Sequence, residues 1–294
     1  MNKESHKSGW VSVVGSPNVG KSTLVNALIG EKLSIVSNKP QTTRHRITAI
    51  ANGEDYQMVF SDTPGVLRPS YKMQEAMMKR VGEALEDADV IMAVTDVGEK
   101  YFEHGLFEKL KRTKVPVIVV LNKLDLGEQD IIAKKLTLLK EQVNPTAIIG
   151  VSALHNFNIK ELKDLLISHL PQGEPYYPKE QISDLPEKFF VSEILREKIL
   201  MYYQQEIPYS VEVVTTDFIE TEKITRIRCE IFVNRHTQKA IIIGKAGSAL
   251  KRTATAARLD LEKWLDAKVF LEVDVKVKKD WRDNDMHLKN FGYL

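Results

Sequence analysis

The residues that most narrow the folds open to this 294-residue chain are Gly15-Ser-Pro-Asn-Val-Gly20-Lys21-Ser22. They follow a β-branched apolar run at 10–14 and open an amphipathic stretch at 21–29, which Gly30 stops. A strand, a glycine-bounded loop and a helix in that order form a P-loop, in which crowded backbone amides make a nest for an anion. The helix start adds its positive dipole end, and glycine lets the backbone approach phosphate oxygens without a Cβ clash. Lys21 would reach the outer phosphates and Ser22 would ligate Mg²⁺, with Thr23 in the same turn. At ordinary residue usage the pattern arises by chance about once in 30,000 positions. The competing reading is a glycine-rich turn with an incidental lysine, and the strand-before, helix-after setting argues against it.

The surrounding sequence repeats the alternation. Apolar runs at 10–14, 46–51, 56–61, 90–95, 117–121 and 147–151 predict strands, several of them without polar alternation, as for strands covered on both faces. Helical patterns lie between them at 21–29, 73–86, 106–111, 129–142 and 159–170. This is an α/β domain with a mostly parallel sheet and helices on both faces, and ligands of such folds bind at the carboxyl ends of the strands. The texture changes at Pro171, Pro175, Pro178 and Pro186, where fixed φ and missing amide donors predict a semi-rigid connector. The expected division is 1–172 for the first domain, 173–186 for the linker, 187–280 for a smaller α+β domain and 281–294 for a tail. The α+β segment reads α-β-β-α-α-β.

Composition excludes several classes. Lys and Arg number 42 against 40 Asp and Glu, so a nucleic-acid site must come from local clustering. One cysteine, Cys229, rules out an intrachain disulfide and a multi-thiolate zinc site. The longest apolar stretch, 115–121, contains Pro116 and is far below the ~18–20 residues of a spanning helix. A cytoplasmic location is expected, and peripheral contact with the inner face of the membrane, which needs no span, stays open. Histidines show no metal-ligand spacing.

Three more motifs end predicted strands. Asp62-Thr63-Pro64-Gly65 can hold Mg²⁺ through Asp62 and sense a γ-phosphate through the Gly65 amide, or be a turn. In Asn122-Lys123-Leu124-Asp125 the Asp125 carboxylate can accept from guanine's ring N–H and exocyclic amine, a donor edge that adenine lacks. Ser152-Ala153-Leu154 would back the base with a backbone amide. Asn122 and Asp125 argue against an ATP-using small-molecule kinase.

Together these motifs resemble the translation-factor-class GTPases. Gln41-Thr42-Thr43-Arg44-His45-Arg46 is similar to the switch-I segment of the Era-like GTPases, and the C-terminal half extends that resemblance over nearly the full chain. The resemblance implies GTP/GDP and Mg²⁺ as cofactors. It also implies that Thr43, or less favourably Thr42, completes a Mg²⁺ shell with Ser22 and Asp62. Many small GTPases carry a water-orienting Gln after D-x-x-G, whereas Val66 stands here, as in Era-like GTPases. Slow intrinsic hydrolysis is therefore expected, with K⁺ near Asn18 a candidate for the missing function. Asn18 could equally be a turn residue.

In the second domain Gly244-Lys245-Ala246-Gly247 lies between Ile241-Ile242-Ile243 and a predicted helix, and this arrangement resembles a type II KH domain. A G-x-x-G loop of that kind clamps the backbone of single-stranded RNA. From Arg235 to Arg258 there are six basic residues and no acidic ones, Lys251 and Arg252 among them. The expected RNA contacts are Ile243 to Gly247 with Lys251 and Arg252, although one isoleucine or more of 241–243 should belong to the core. Lys276, Lys278 and Lys279 extend a basic stripe or face solvent, and the aromatic tail packs on the domain or touches RNA. The resemblance implies the partner, the 3′ end of small-subunit rRNA during assembly of that subunit, and a monomer is expected. The rival reading is a GTPase whose second domain docks to protein or membrane.

Overall fold

The structure, a computed structural model, describes residues 6–99 and 104–294. The chain divides into two compact units, with the boundary between Asp184 and Leu185 and with Ser70–Ala76 grouped with the second. Among the described residues no helix is long and apolar enough to cross a membrane.

The first unit is built on a six-stranded sheet of order β2-β3-β1-β4-β5-β6. The strands are β1 (Lys7–Val14), β2 (Ile47–Asn52), β3 (Tyr56–Asp62), β4 (Val90–Asp96), β5 (Val117–Asn122) and β6 (Ala147–Gly150). All pairings are parallel except β2 with β3. Helices α1 (Lys21–Ile29), α2 (Lys72–Glu86), α3 (His104–Arg112), α4 (Gln129–Val143) and α5 (Ile159–His169) supply the crossovers. Strand residues such as Val11, Val13, Phe60, Met92, Val119 and Val120 are fully buried, which is why the sequence shows unbroken apolar runs there. The parallel register sets Val13 beside Asp62 and Asp96 beside Asn122, so the strand ends that carry the motifs lie at one edge.

The proline-rich stretch is not a free connector along its whole length. Gln57 on β3 is fully buried, and its side-chain oxygen accepts from the Tyr176 and Tyr177 amides at 2.7 and 3.0 Å. Farther along, the Ile50 amide donates to Ile182 O at 2.9 Å and the Ser183 hydroxyl donates to Thr48 O at 2.6 Å. The stretch thus covers edge strand β2, whose unpaired backbone groups would otherwise face water. Residues 173–183 are laid on the first unit, and the chain leaves it only at Asp184.

The second unit contains a three-stranded sheet, β7 (Glu212–Ile219), β8 (Thr225–Val233) and β9 (Val269–Val277), with β7–β8 antiparallel and β8–β9 parallel. Helices α6 (Glu187–Tyr202), α8 (His236–Ile243) and α9 (Ser248–Leu265) complete the expected order, and a short α7 (Ile207–Ser210) precedes β7. Val191, Leu195, Ile199, Ile231, Ala257 and Leu261 form the core between helices and sheet. Cys229 is buried there and its thiol is pushed up to about 11, an inert packing group. The tail, left open by the sequence, packs on this unit before and through α10 (Asp285–Asn290). Trp281 is fully buried with its indole N–H on Ser210 O at 3.1 Å, and the Tyr293 hydroxyl donates to Glu212 at 2.7 Å.

Candidate functional site

The loop after β1 is held on every side. Gly15 has φ 154°, and a Cβ there would lie 2.1 Å from Val94 O. Gly20 has φ 94°, and a Cβ there would lie 2.3 Å from the Asn122 amide nitrogen. Neither neighbour can move without disturbing a strand end, so glycine is required by both conformation and space. Lys21 is buried, and its ammonium donates to Gly15 O at 3.1 Å and Ser16 O at 2.9 Å. Desolvation pushes its pKa down from 10.5 to about 8, opposed by the negative charges of Asp62 and Glu99. It remains an ammonium at neutral pH, aimed into an anion nest.

Beside it lie the oxygen donors. The Ser22 and Thr43 hydroxyls are 2.8 Å apart, while the Thr42 hydroxyl is spent on Lys39 O at 2.7 Å. The structure therefore sets Thr43, not Thr42, against the P-loop. Asp62 is fully buried and neither carboxylate oxygen completes a hydrogen bond. Burial raises its pKa, and the nearby Ser22 hydroxyl, Lys21 and the Ser34 hydroxyl pull the other way. A buried carboxylate that completes no hydrogen bond, beside the Ser22 and Thr43 hydroxyls, is a hard-oxygen donor set that fits Mg²⁺. Gly65 lies against the P-loop: a Cβ would come 2.7 Å from Pro17 Cα. The next residue, Val66, binds Gly15 O through its amide at 3.0 Å and turns its side chain to the core. No polar side chain at 66 faces the phosphate loop.

Asn122 works as a clamp. Its amide donates to Val19 O at 2.9 Å and its oxygen accepts from the Ala153 amide at 3.0 Å, tying the P-loop to the 152–154 segment. The Ala153 amide, a candidate for backing the base, is thus engaged by Asn122. Lys123, with φ 59°, donates to Asn18 O at 2.6 Å and Asp96 at 2.7 Å. Asp125 is exposed, accepts a hydrogen bond from the Ser152 hydroxyl, and has His155 at 4.0 Å. A cavity of about 310 Å³ joins Asn18, Gly20, Lys21, Ser22, Thr23, Thr43 and Gly65. Of the 122–125 and 152–154 segments only Lys123 reaches its wall, while Asp125 and Leu154 stand at the surface.

In the second unit, α8 ends at Gly244 (φ 72°), and Ala246 (φ 49°) and Gly247 (φ 76°) also take the left-handed region before α9. Lys245, Ala246, Lys251 and Arg252 are exposed. The isoleucine left uncovered is Ile241; Ile242 is fully buried, and Ile243 is half-buried against the core. Arg252 stacks on Tyr202 at 4.7 Å. Other basic groups are engaged locally: Arg258 pairs with Glu262 at 2.8 Å, Lys276 pairs with Glu230, and Lys278 lies over Phe232 at 4.5 Å. Lys276 and Lys278 are thus held locally, while Lys245 and Lys251 at the loop are exposed.

Comparison with known proteins agrees with this layout. Residues 10–123 match the model of a family described as 50S ribosome-binding GTPase, and residues 206–282 match the KH domain model. The chain is similar to the chloroplastic GTPase ERA-like protein of Arabidopsis thaliana, with 46% identity over 98% of this chain and 69% of the relative. It is 44% identical to GTPase Era of Clostridium kluyveri, over 98% of this chain and 99% of the relative. The chain belongs to the Era family of GTPases. A solved Era structure, in complex with MgGDPNP and nucleotides 1506-1542 of 16S ribosomal RNA, superposes with a TM-score of 0.93. That structure is 38% identical, over 98% of this chain and 99% of its own. This Era-family member is a GTP-hydrolysing α/β domain followed by a KH domain.

Sequence reasoning missed part of this Era-family site. Asp96, which holds Lys123, ends β4, and the rule that ligands gather at strand carboxyl ends was the signal that could have found it. Ile35 to Asn38 wall the cavity without carrying a recognisable motif.

Proposed function

We propose that this Era-family GTPase binds the single-stranded 3′ end of small-subunit (16S) rRNA and acts in 16S rRNA maturation and assembly of the small ribosomal subunit. The observation that carries the reading is the full-length likeness to the Era structure holding 16S rRNA nucleotides, combined with a basic, exposed G-x-x-G loop in this chain. The family likeness removes the small-molecule kinase from consideration. Relatives from bacteria and chloroplasts support work in a bacterial cytoplasm or an organelle of bacterial descent.

In this reading Lys21 and the P-loop amides bind the outer phosphates, and Asp125 reads the guanine edge. Ser22, Thr43 and Asp62 would hold Mg²⁺, which neutralises charge on the transferring phosphoryl group. Because Thr43 lies on switch I and Gly65 on switch II, the γ-phosphate orders both segments and hydrolysis releases them. Val66 offers no hydrogen bond to the attacking water, so intrinsic turnover is slow. Asn18 is the residue through which a monovalent cation would act: it lines the cavity beside the P-loop, where its side-chain amide donates to Asn38 O at 3.0 Å. Faster turnover in K⁺ than in Na⁺ is expected, and equal rates would remove this part.

The central test is equilibrium binding of an RNA spanning 16S nucleotides 1506-1542, with Lys245→Asp beside the wild type. Wild-type binding is expected. The exchange sets like charge against phosphate and should weaken binding about tenfold, leaving GTP affinity intact. RNA binding that survives the change misplaces the clamp, and attachment to ribosomal particles that resists nuclease would favour protein docking instead.

A further inference from the structure

The G-x-x-G loop is an uncomfortable piece of backbone. Gly244, Ala246 and Gly247 all have φ between 49° and 76°, and Ala246 carries a Cβ into that region. An L-residue is strained there, so such a conformation persists only where the surroundings over-determine it. The first brace is steric: Gly244 lies so close to α9 that a Cβ would meet the Ala249 Cβ at 2.6 Å. The second is a buried pair of hydroxyls below the loop.

Tyr203 follows the last residue of α6, and its hydroxyl donates to Ile242 O at 2.8 Å. Ile242 lies in the last turn of α8, where carbonyls lack an intrahelical partner, and it is fully buried. The Thr253 hydroxyl, on α9 and also fully buried, lies 3.1 Å from the Tyr203 oxygen and 2.9 Å from Ala249 O. The two hydroxyls therefore join the end of α6 to both helices that flank the loop. On the outside, the preceding residue Tyr202 receives the Arg252 guanidinium on its ring. Consecutive residues of one helix end thus grip consecutive residues of α9, one pair wet and one pair dry.

We propose that Tyr203 and Thr253 are positioning residues that hold the 244–247 loop in its RNA-binding geometry; this rests on the reading of that loop as the RNA clamp. The phenol fixes where α8 stops, the threonine fixes α9 against it, and the distance between the two helix ends sets the loop. Without the phenolic proton the Ile242 carbonyl would be buried and unpaired. The last turn of α8 would then reorganise toward water, carrying Gly244 with it.

The test uses the full chain and the 1506-1542 RNA, with binding measured at several salt concentrations. Tyr203→Phe keeps the ring and removes the hydroxyl, Thr253→Val keeps the shape and removes the hydroxyl, and Thr253→Ser keeps the hydroxyl. We expect the first two to lower RNA affinity about 3- to 10-fold, and to flatten the salt dependence by about one phosphate contact. Thr253→Ser should bind like the wild type, and the double variant should lose no more than the worse single one, because the hydroxyls act as a unit. GTP turnover without RNA should be unchanged. A variant whose melting temperature falls while affinity and salt slope stay at wild-type values would show a structural role only and overturn the proposal. Should Tyr203→Phe fail to fold, the Thr253→Val and Thr253→Ser pair decides alone. A wild type that does not bind this RNA would overturn the RNA reading and this inference with it, whereas binding by the wild type with unaltered Thr253→Val overturns the inference alone.

Discussion

On the reading proposed above, the two glycine-bearing loops of this molecule both grip phosphate, in opposite surroundings. The loop at 15–22 is enclosed: Gly15 and Gly20 each abut polar atoms at under 2.5 Å from a notional Cβ, and Lys21 is buried. The loop at 244–247 is enclosed on one side only, since Gly244 packs on Ala249 while nothing lies within 4 Å of a Cβ at Gly247. On that reading the first surrounds the compact polyphosphate of GTP, where a desolvated ammonium and fixed amides would act in a low dielectric. On the same reading, the second leaves one wall to be supplied by the RNA backbone. Enclosure suits a ligand that is recognised whole, and openness suits one that is recognised in passing.

The largest effect that would break this contrast is expected at Gly15. Gly15→Ala puts a Cβ 2.1 Å from the Val94 carbonyl on a central strand, so the loop must leave its position rather than adjust. A displacement of that kind costs a few kcal/mol, and guanine-nucleotide affinity, GDP included, should fall by about 100-fold or more. RNA affinity of the second unit should stay within about twofold of wild type. Isothermal titration with GDP and with the RNA would measure both, and retained nucleotide affinity would mean that the loop is softer than its packing implies. The Lys245→Asp change, at about tenfold on RNA affinity, falls next, because an exposed charge is one contact among several.

How much of this was legible in the residues depends on what kind of force fixes each feature. The six strands of the first unit announced themselves because burial on both faces leaves unbroken apolar runs, and Gly20 and Lys21 announced the loop because few other residue types serve there. Strand β1 nonetheless starts at Lys7, ahead of the apolar run, since Lys7 pairs with Tyr56 through backbone groups that composition does not report. The first turn of α8 is polar (His236, Thr237, Gln238), and it is fixed by Gln238, whose side chain accepts from the Asn234 and Arg235 amides. The docking of 173–183 on β2 could not be read at all. It depends on Gln57 buried in a distant strand, and a lone glutamine in an apolar run carries no sign of its partners. The same holds for the Tyr203–Thr253 pair, whose members lie 50 residues apart.

The smallest expected effect sharpens the contrast most, because Gly247 isolates conformation from space. Gly247 has φ 76° and open surroundings, so Gly247→Ala meets no atom and loses only what an L-residue loses in the left-handed region, about 1 kcal/mol of stability. Gly247→Asn fills the same space with a residue that tolerates this conformation better. If glycine is present only for its φ, the asparagine variant should keep wild-type RNA affinity and the alanine variant should lose a little. If the polymer backbone comes to rest against this residue, both side chains occupy its path and both should weaken RNA binding about threefold, whatever their stabilities. The open-wall reading expects the second pattern, with melting temperatures ranking asparagine above alanine and RNA affinities nearly equal. An asparagine variant that binds like the wild type would mean that the phosphates stop short of Gly247, and that the missing wall of the loop is closed by something else.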